Sequence, residues 1–395
     1  MEEAAVSLAA VSAVAADKSL IMNKIEIETV RTRRQLRQFI LFPENLFKDN
    51  PNWVPALVGD EFKTLGPGNP ALEFCESEYY LAKDAGGQIV GRVAAIINHR
   101  ANSHAGEKIV RFGWIDFIDS FDVCKALIDA VAAWGRAKGM TSIKGPLGFT
   151  NMDKSGLLVE GFENMSPFTC IYNFPYYGEY LERCGFSKDV DWIQRLVTLP
   201  ENPPEFFRLA DIVEQRYGLH IFRPKNRKEL RSKAEDLFRV LNAAFANIYE
   251  FCPLTDAQVQ LYINQYFPLV NKDFICMILD KEENVVGFAI TVPSLAKAIR
   301  KSRGRLFPFG WIRILHAMNH GHLVEAMMVG AAPEHQGNGA NVMILKDMQL
   351  IAMKYGITKM ITNPQLEDNI KAITMFGKYY ETQPYMRRRC YVKNL

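Results

Sequence analysis

Several signatures of common protein classes are absent from this sequence. It contains no uninterrupted apolar run long enough to cross a bilayer, so no transmembrane helix is predicted. A net charge of +3 is too weak for a surface that binds nucleic acid. The seven cysteines form no CxxC pair and have no neighbouring histidine cluster, which argues against zinc and thioredoxin-like chemistry. We therefore expect a protein of a reducing cytoplasm, without a metal and without a nucleic-acid partner.

The length and composition of the chain are those of two soluble domains. Its 395 residues are 48% hydrophobic and 23% charged, and they exceed the size of one ordinary core. The first residues form an alanine-rich stretch preceded by Glu2 and Glu3, whose charge has the wrong sign for a secretory signal. We predict a disordered tail at residues 1–23.

The two halves of the chain repeat one order of predicted elements. A proline-rich break at residues 199–204 separates them. We therefore predict an α/β (α+β) protein with domains at 24–199 and 200–395, each a mixed, mostly antiparallel sheet flanked by helices. The first half is predicted to contain strands 24–30, 78–83, 88–98 and 110–117, helix 122–138 and strand 142–145. The second half is predicted to contain strand 220–223, helices 227–246 and 255–267, strands 274–279, 285–292 and 323–329, helix 341–355 and strand 358–362.

A glycine-rich segment joins strand 323–329 to helix 341–355. It reads PEHQGNGAN at residues 333–341. A turn of this kind at a helix N-terminus offers consecutive backbone N–H groups to a phosphate. The segment has neither the GK[ST] of a Walker loop nor the GxGxxG of a dinucleotide fold. It predicts a phosphate site, and an ordinary glycine turn is the alternative.

The strand, the spacing Gln336-x-x-Gly339 and the helix together resemble the acyl-CoA pyrophosphate loop of the GNAT superfamily. The order of elements in the second half fits that superfamily, and residues 367–376 resemble its fourth helix, with Asn369 and Ala372 at the motif positions. The resemblance implies that acyl-CoA is a co-substrate whose pantetheine arm enters between splayed fourth and fifth strands. The cofactor-binding residues that it implies are Val329, Gln336, Gly337, Asn338, Gly339, Ala340, Asn341 and Asn369.

Glu325 is the candidate general base. It lies eleven residues before Gln336, the spacing of the catalytic glutamate in histone acetyltransferases of this superfamily. An amine must lose a proton before it attacks a thioester, and apolar neighbours predict a raised pKa for this carboxyl. The tyrosine that often acts as general acid is Phe376 here, and Tyr379 or Tyr380 is the candidate substitute. The alternatives are a solvent-facing Glu325 paired with a cation and tyrosines that only pack.

The first half resembles the same fold without its cofactor loop, because Asp119 and Asp122 stand where phosphate-binding glycines are expected. Segments 145–153, 156–162 and 172–177 are dense in Gly, Asn, Asp and Tyr, and we predict that they line a pocket. A structured loop is the alternative. The predicted substrate-binding residues are Asn151, Asp153, Glu160, Tyr172, Asn173, Tyr176 and Tyr177.

An insert at residues 293–322 separates two predicted strands of the second half. It holds six basic residues, no acidic residue and many aromatic and aliphatic ones, a composition typical of segments that contact anionic lipid. Pro308 and Gly310 predict a break between two short helices. The predicted membrane contacts are Arg300, Lys301, Arg303, Arg305 and Trp311. A lid packed on its own domain is the alternative.

The insert and the first-half segments together resemble a bacterial family of tandem GNAT-like proteins, of the YghO and ceramide synthase type, whose ceramide synthases N-acylate sphingoid bases. This resemblance implies an N-acyltransferase that uses acyl-CoA and a long-chain lipid amine. The scattered cysteines and the basic, aromatic insert predict a location in the cytoplasm, peripheral on the inner membrane. Two alternatives remain open. One is an acetyltransferase for a small soluble amine or a protein lysine, and the other is a sensor that binds acyl-CoA without turnover.

Overall fold

The computed structural model describes residues 25–266 and 271–395. The predicted tail lies outside this part of the chain. The first-half strands are β1 (Glu26–Thr29), β2 (Cys75–Lys83), β3 (Ile89–Asn98), β4 (Ile109–Phe117), β5 (Ser142–Gly145), β6 (Leu157–Glu160) and β7 (Ser187–Thr198). The second-half strands are β8 (His220–Phe222), β9 (Ile275–Leu279), β10 (Val285–Pro293), β11 (Leu323–Ala331), β12 (Lys359–Ile361), β13 (Gln365–Leu366) and β14 (Glu381–Asn394).

Helices flank these strands on both faces. The first half contains α1 (Arg33–Leu46), α2 (Val58–Thr64), α3 (His99–Ala105), α4 (Phe121–Ala137) and α5 (Tyr176–Arg183). The second half contains α6 (Phe207–Tyr217), α7 (Arg227–Ser232), α8 (Ala234–Phe245), α9 (Asp256–Tyr266), α10 (Ala296–Lys301), α11 (Gly310–His320), α12 (Ala340–Tyr355) and α13 (Ile370–Gly377). Short 3₁₀ turns lie at Pro70–Glu73, Lys272–Phe274 and Pro333–His335.

Strands β1–β5 and β8–β12 are paired in the same way. Within each set neighbouring strands are antiparallel, except that β4 is parallel to β5 and β11 is parallel to β12. A parallel pair needs a crossover, and α4 and α12 supply it in the two halves. The predicted repeat of two mostly antiparallel halves is therefore confirmed.

The two long closing strands are exchanged between the halves. The GNAT resemblance implies that the last strand of the chain, predicted at residues 386–392, closes the second half, but the corresponding β14 lies between β5 and β7, and β7 lies between β14 and β12. The alternation of residues in a strand defines its faces but not the edge that it joins. Regular structure is interrupted between Thr198 and Phe207, where the linker is predicted, yet one sheet continues across both halves.

The second half has separate cores on the two faces of its sheet. The core on one face contains buried residues of α6 and α12, among them Val213 and Ile344. The core on the other face contains residues of α7, α8 and α9, among them Leu237 and Phe251, which follows α8. The helix that follows the glycine-rich segment and the end of α8 thus lie on opposite faces of this sheet.

The insert forms helices α10 and α11, with the predicted break between them. It packs against the first half, and not only against its own half as the lid alternative supposed. Ile299 belongs to an apolar cluster with Val54 of the first half. The backbone N–H of Val58 donates to Gly304 O over 3.0 Å, which attaches the turn after α10 to the start of α2.

Candidate active site

A cavity of about 1380 Å³ lies where the two halves meet. Strand β11, the glycine-rich segment and helices α12 and α13 contribute to its wall from the second half. The first half contributes residues of the loop after β5 and of the exchanged strand β7. The site is therefore built by both halves.

The cavity opens where β11 and β12 diverge. The two strands pair only from Leu323 to Glu325, although β11 continues to Ala331. The pairing of β10 with β11 shifts register at Met327, because Thr291 faces Ala326 whereas the preceding residue, Ile290, faces Met328. A bulge of this kind bends a strand and redirects its side chains. The part of β11 beyond Glu325 therefore presents backbone to the cavity, as the GNAT resemblance implies for the pantetheine cleft.

The glycine-rich segment presents free backbone donors at the N-terminus of α12. Gly337 and Gly339 have φ angles of +91° and +85°, a region that favours glycine. Among the described residues we find no protein acceptor for the N–H groups of Gly337, Ala340 and Asn341. The side chain of Gln336 donates to Ala331 O over 3.1 Å, which closes the base of the turn. Together with the helix dipole, these free donors form a site suited to a diphosphate.

The predicted cofactor residues divide into two groups. Val329, Gln336, Gly337, Asn341 and Asn369 line the cavity, whereas Asn338, Gly339 and Ala340 do not. Asn369 also caps α13, since its side-chain oxygen accepts a hydrogen bond from the N–H of Ala372 over 3.1 Å.

The two glycines of the turn have different surroundings. A Cβ on Gly339 would lie 2.5 Å from Cγ2 of Val213 in α6, so this glycine permits close packing of the turn on the core. A Cβ on Gly337 would meet nothing within 4 Å. Gly337 is therefore the position at which a large side chain would enter the cavity without disturbing the core.

Glu325 lies at the point where β11 and β12 separate. It is 2% exposed and lines the cavity. Ser294 Oγ donates to Glu325 Oε1 over 2.6 Å, and Oε2 has no partner within the described residues. Burial raises the pKa of Glu325 to about 7, and the hydrogen bond from Ser294, the nearby backbone N–H of Phe168 and the charge of Lys154 partly oppose this rise. A buried carboxyl with a pKa near neutrality and a free oxygen can accept a proton from an ammonium group, whereas the solvent-facing alternative does not fit its burial.

Sequence reasoning missed Ser294. It is the residue after β10, and pairing of Val292 with Glu325 places the start of the insert beside the candidate base. A serine at the start of an insert has no distinguishing sequence pattern, so only the strand register reveals this contact.

The two candidate tyrosines are in different environments. Tyr379 lines the cavity and packs on Phe206, with ring centroids 4.7 Å apart. Tyr380 is buried in the core, where its hydroxyl donates to Leu345 O over 3.4 Å and burial raises its pKa well above the usual value. Phe376 is fully buried beside it. Of the two, only Tyr379 can reach a bound substrate.

Two of the predicted substrate residues reach the cavity. Asn151 lines it and donates from Nδ2 to Tyr249 O over 3.0 Å. Asp153 also lines it and accepts a hydrogen bond from the N–H of Thr150 over 3.0 Å. Burial raises the pKa of Asp153 to about 6. These two residues make the first half part of the site.

The other five predicted substrate residues do not line the cavity. Four of them bond to the backbone of the first half, so they support its loops, and the fifth forms a surface ion pair. Tyr172 donates to Phe162 O, Asn173 accepts from Leu158 N, Tyr176 and Tyr177 donate to Phe117 O, and Glu160 pairs with Arg387.

The first half fills the space that corresponds to the cofactor cleft. Strands β4 and β5 also pair over only three residues and then separate. Residues 146–149 occupy the gap, with the N–H of Leu147 donating to Phe112 O over 2.9 Å. A Cβ on Gly113 would lie only 2.4 Å from Leu147 O. The first half therefore has no open cleft at this position.

Comparison with known proteins gives the fold of the chain. No protein-family model matches it. It is 28% identical over 379 residues to Protein YghO of Escherichia coli (strain K12), covering 93% of this chain and 95% of YghO. It superposes on a tandem GNAT protein from the clavulanic acid biosynthesis pathway with a TM-score of 0.53 and 12% identity, covering 94% of this chain and 98% of that one. The chain has the tandem GNAT fold.

Two further proteins share features with this tandem GNAT chain. The bacterial ceramide synthase of Caulobacter vibrioides (strain NA1000 / CB15N) is 26% identical over 380 residues, covering 94% of this chain and 98% of the relative. The GCN5-related glucosamine N-acetyltransferase region of a fungal GH3 β-N-acetylglucosaminidase superposes with a TM-score of 0.55 and 13% identity. That match covers 94% of this chain and 38% of the longer fungal chain. The predicted resemblance to tandem GNAT acyltransferases is confirmed.

The described part of this tandem GNAT chain shows two further features. None of its helices has the length and hydropathy needed to cross a membrane. It also brings together no group of three or more His, Cys, Asp or Glu side chains able to hold a metal.

Proposed function

We propose that the protein is an N-acyltransferase that transfers an acyl group from acyl-CoA to an amine. The observation that carries this proposal is the position of Glu325, whose buried carboxyl lines the same cavity as the glycine-rich segment and the diverging strand β11. A phosphate site, a channel with exposed backbone and a buried base are the three parts that acyl transfer to an amine requires. The tandem GNAT fold and the two curated relatives support it.

The residues of the cavity have separate roles in this proposal. The backbone at residues 336–341 binds the CoA diphosphate, and β11 beyond Glu325 holds the pantetheine arm. Glu325 takes a proton from the ammonium form of the acceptor, so that the nitrogen lone pair can attack the thioester carbonyl. Collapse of the tetrahedral adduct breaks the carbon–sulfur bond, and the hydroxyl of Tyr379 donates a proton to the departing thiolate.

We propose a long-chain amine, such as a sphingoid base, as the acceptor. The cavity is larger than the roughly 300–1,000 Å³ of typical small-ligand sites. Its wall near Glu325 is apolar and includes Met152, Met327, Met328 and Phe251. Methionine side chains adapt to flexible apolar chains. A relative at 26% identity is named a ceramide synthase, which supports a lipid amine.

We also propose that the insert contacts an anionic membrane surface, from which the acceptor is drawn. The turn between its helices exposes 80% of Phe307 and 65% of Phe309, and no acidic residue lies in the insert. Of the predicted contacts, Lys301, Arg303, Arg305 and Trp311 are exposed. Arg305 is also paired with Glu44 of the first half, and the half-buried Arg300 donates to Asn50 O.

An acyl-transfer assay tests the proposed function. The purified protein is incubated with palmitoyl-CoA and sphinganine, and the N-acylated product is measured by mass spectrometry. Acetyl-CoA with glucosamine or a lysine peptide tests the soluble-amine alternative, and acyl-CoA binding without product tests the sensor. We expect amide formation from the long-chain pair. Product only from acetyl-CoA would contradict the long-chain acceptor, and binding without any product would contradict acyl transfer itself.

A further inference from the structure

One part of the cavity wall belongs to the second half but is attached to the first. Residues 246–251, which we call the wall segment, follow α8, and Asn247, Ile248, Tyr249 and Phe251 line the cavity. Ile248 and Phe251 pack in one apolar cluster with Met327 and Met328, the residues that follow the candidate base on β11. The wall segment therefore forms the side of the cavity next to Glu325.

The wall segment is fixed by a buried carboxylate. Glu250 pairs with Arg111 of β4 over 2.8 Å, and the two side chains are 6% and 2% exposed. Lys144 of β5 lies beside Arg111 in the strand register and approaches Glu250 to 3.2 Å. Burial alone would lower the pKa of Lys144, but Glu250 and other carboxylates outweigh it and raise the pKa. Two cations of the first half thus hold one carboxylate of the second.

The backbone of the wall segment needs this attachment. Glu250 has a φ of +55°, an unfavourable conformation for a residue with a side chain. Such a conformation persists only where surrounding contacts impose it. The ion pairs of Glu250 and the bond from Asn151 to Tyr249 O are contacts of this kind, and all of them come from the first half.

Arg111 also holds the cavity loop of the first half. Its other guanidinium nitrogen, Nη1, donates to Gly148 O over 3.2 Å. The loop that it holds contributes Leu147, Asn151 and Asp153 to the cavity. One arginine therefore fixes two loops of the wall, one from each half.

These loops lie away from the glycine-rich segment, at which the diphosphate of the donor would bind. The helix α12, which begins at the glycine-rich segment, packs on one face of the second sheet, and the wall segment packs on the other. If acyl-CoA enters along the glycine-rich segment, the acceptor occupies the side of the cavity that the wall segment forms. We propose that Arg111, through Glu250, is a positioning residue for the acceptor amine, so that the first half shapes the acceptor site without binding a cofactor. This inference rests on the proposed acyl transfer.

Two substitutions and one matched control test the inference in the full-length protein. Arg111→Lys keeps the charge but cannot span Glu250 and Gly148 O together, and Glu250→Gln keeps the shape of the segment but removes its charge. Arg92→Lys is the control, because Arg92 also forms a buried ion pair, with Asp116 at 2.7 Å, within the first half and outside the cavity wall. Arg111→Lys and Arg92→Lys each keep the charge of a buried ion pair but lose the bond from the guanidinium to a backbone carbonyl, Gly148 O or Phe39 O.

We expect both test variants to raise the KM for sphinganine by about 2- to 30-fold, the range typical of coupling through a packed network. The KM for palmitoyl-CoA should stay near the wild-type value. Hydrogen exchange should become faster in the wall segment. The Arg92→Lys control should lower the melting temperature without changing the KM for sphinganine or the hydrogen exchange of the wall segment. If Arg111→Lys does not fold, Glu250→Gln carries the test.

The outcomes separate this inference from the proposed function. Equal sphinganine KM values and equal wall-segment exchange in the test and control variants would overturn the positioning role. A wild-type protein that does not acylate sphinganine would refute the proposed acceptor. In that case, hydrogen exchange of the wall segment still tests whether Arg111 holds it, and binding of palmitoyl-CoA checks that the rest of the site is intact. Unchanged exchange in the variants would overturn the role of Arg111.

Discussion

Replacement of Glu325 by Gln should lower activity and raise stability at the same time. Gln keeps the size of the side chain and can still bond to Ser294, but it cannot accept a proton. General-base assistance contributes roughly 10²- to 10⁴-fold, so kcat should fall by about that factor. Acyl-CoA affinity should remain near that of the wild type, because Glu325 lies outside the glycine-rich segment.

The stability effect follows from the pKa of Glu325. Its pKa rises from an ordinary value of 4.5 to about 7 because the group is buried. The protonated form therefore stabilises the fold fully below pH 4.5, and this contribution is lost as the pH rises to about 7. Over this pH range the free energy of unfolding falls by about 3 kcal/mol at most. Gln stays neutral, so the variant should be the more stable protein above pH 7 by up to that amount.

Steady-state kinetics and urea unfolding across a range of pH values measure both effects. The acidic limb of the wild-type rate profile should have a midpoint near 7 and should be absent in the variant. Asp153→Asn is the matched control, since burial raises the pKa of this cavity carboxyl to about 6. The control should gain stability above its pKa without a comparable loss of kcat. A Gln variant with wild-type kcat and an unchanged acidic limb would refute the assignment, and Asp153 would become the next candidate.

Four further predictions concern the rest of the site and the insert. Ser294→Ala removes the hydrogen bond that lowers the pKa of the base, so the acidic limb should move to higher pH, as a rate profile would show. Gly337→Trp should abolish acyl-CoA binding in calorimetry, with a modest fall in melting temperature that comes from the φ of +91° and not from a clash, because the Cβ meets nothing within 4 Å; Gly337→Ala has the same backbone strain and is the control, and retained affinity in the Trp variant would contradict the phosphate site. Tyr379→Phe should slow transfer most for thioester donors whose thiol is a poor leaving group. If the substitution slows all thioesters by the same factor, Tyr379 is excluded as the general acid. Serine at Lys301 and Arg303 should weaken sedimentation with anionic vesicles, since each cation near such a surface contributes about 1 kcal/mol; equal sedimentation of wild type and variant would exclude the membrane contact.

Much of the second half could be predicted because its signals are local. The spacing of apolar residues locates α12, and two glycines before it have the left-handed φ angles that the turn requires. The burial of Glu325 could also be predicted, because its neighbours on β11 are apolar. These features depend on residues close in sequence, which is why a pattern reveals them.

Other features depend on contacts between distant residues, and no local pattern encodes them. The role of Glu250 requires cations from β4 and β5, more than a hundred residues earlier in the chain. Tyr176 and Tyr177 have the composition of a pocket, yet their hydroxyls bond to Phe117 O in the interior of the first half. Composition indicates that polar groups need partners, but the fold decides whether those partners are a ligand or the backbone.

The exchange of β7 and β14 makes the two halves inseparable. A chain cut between the halves would leave β5 without its neighbour β14, and β12 without its neighbour β7, so each fragment would expose an unpaired edge. The chain must therefore be complete before either sheet is closed, and the halves are expected to unfold together. The first half, although it has no open cleft at the position of the cofactor site, is therefore required structurally, because its strand β7 pairs with β12 of the second half.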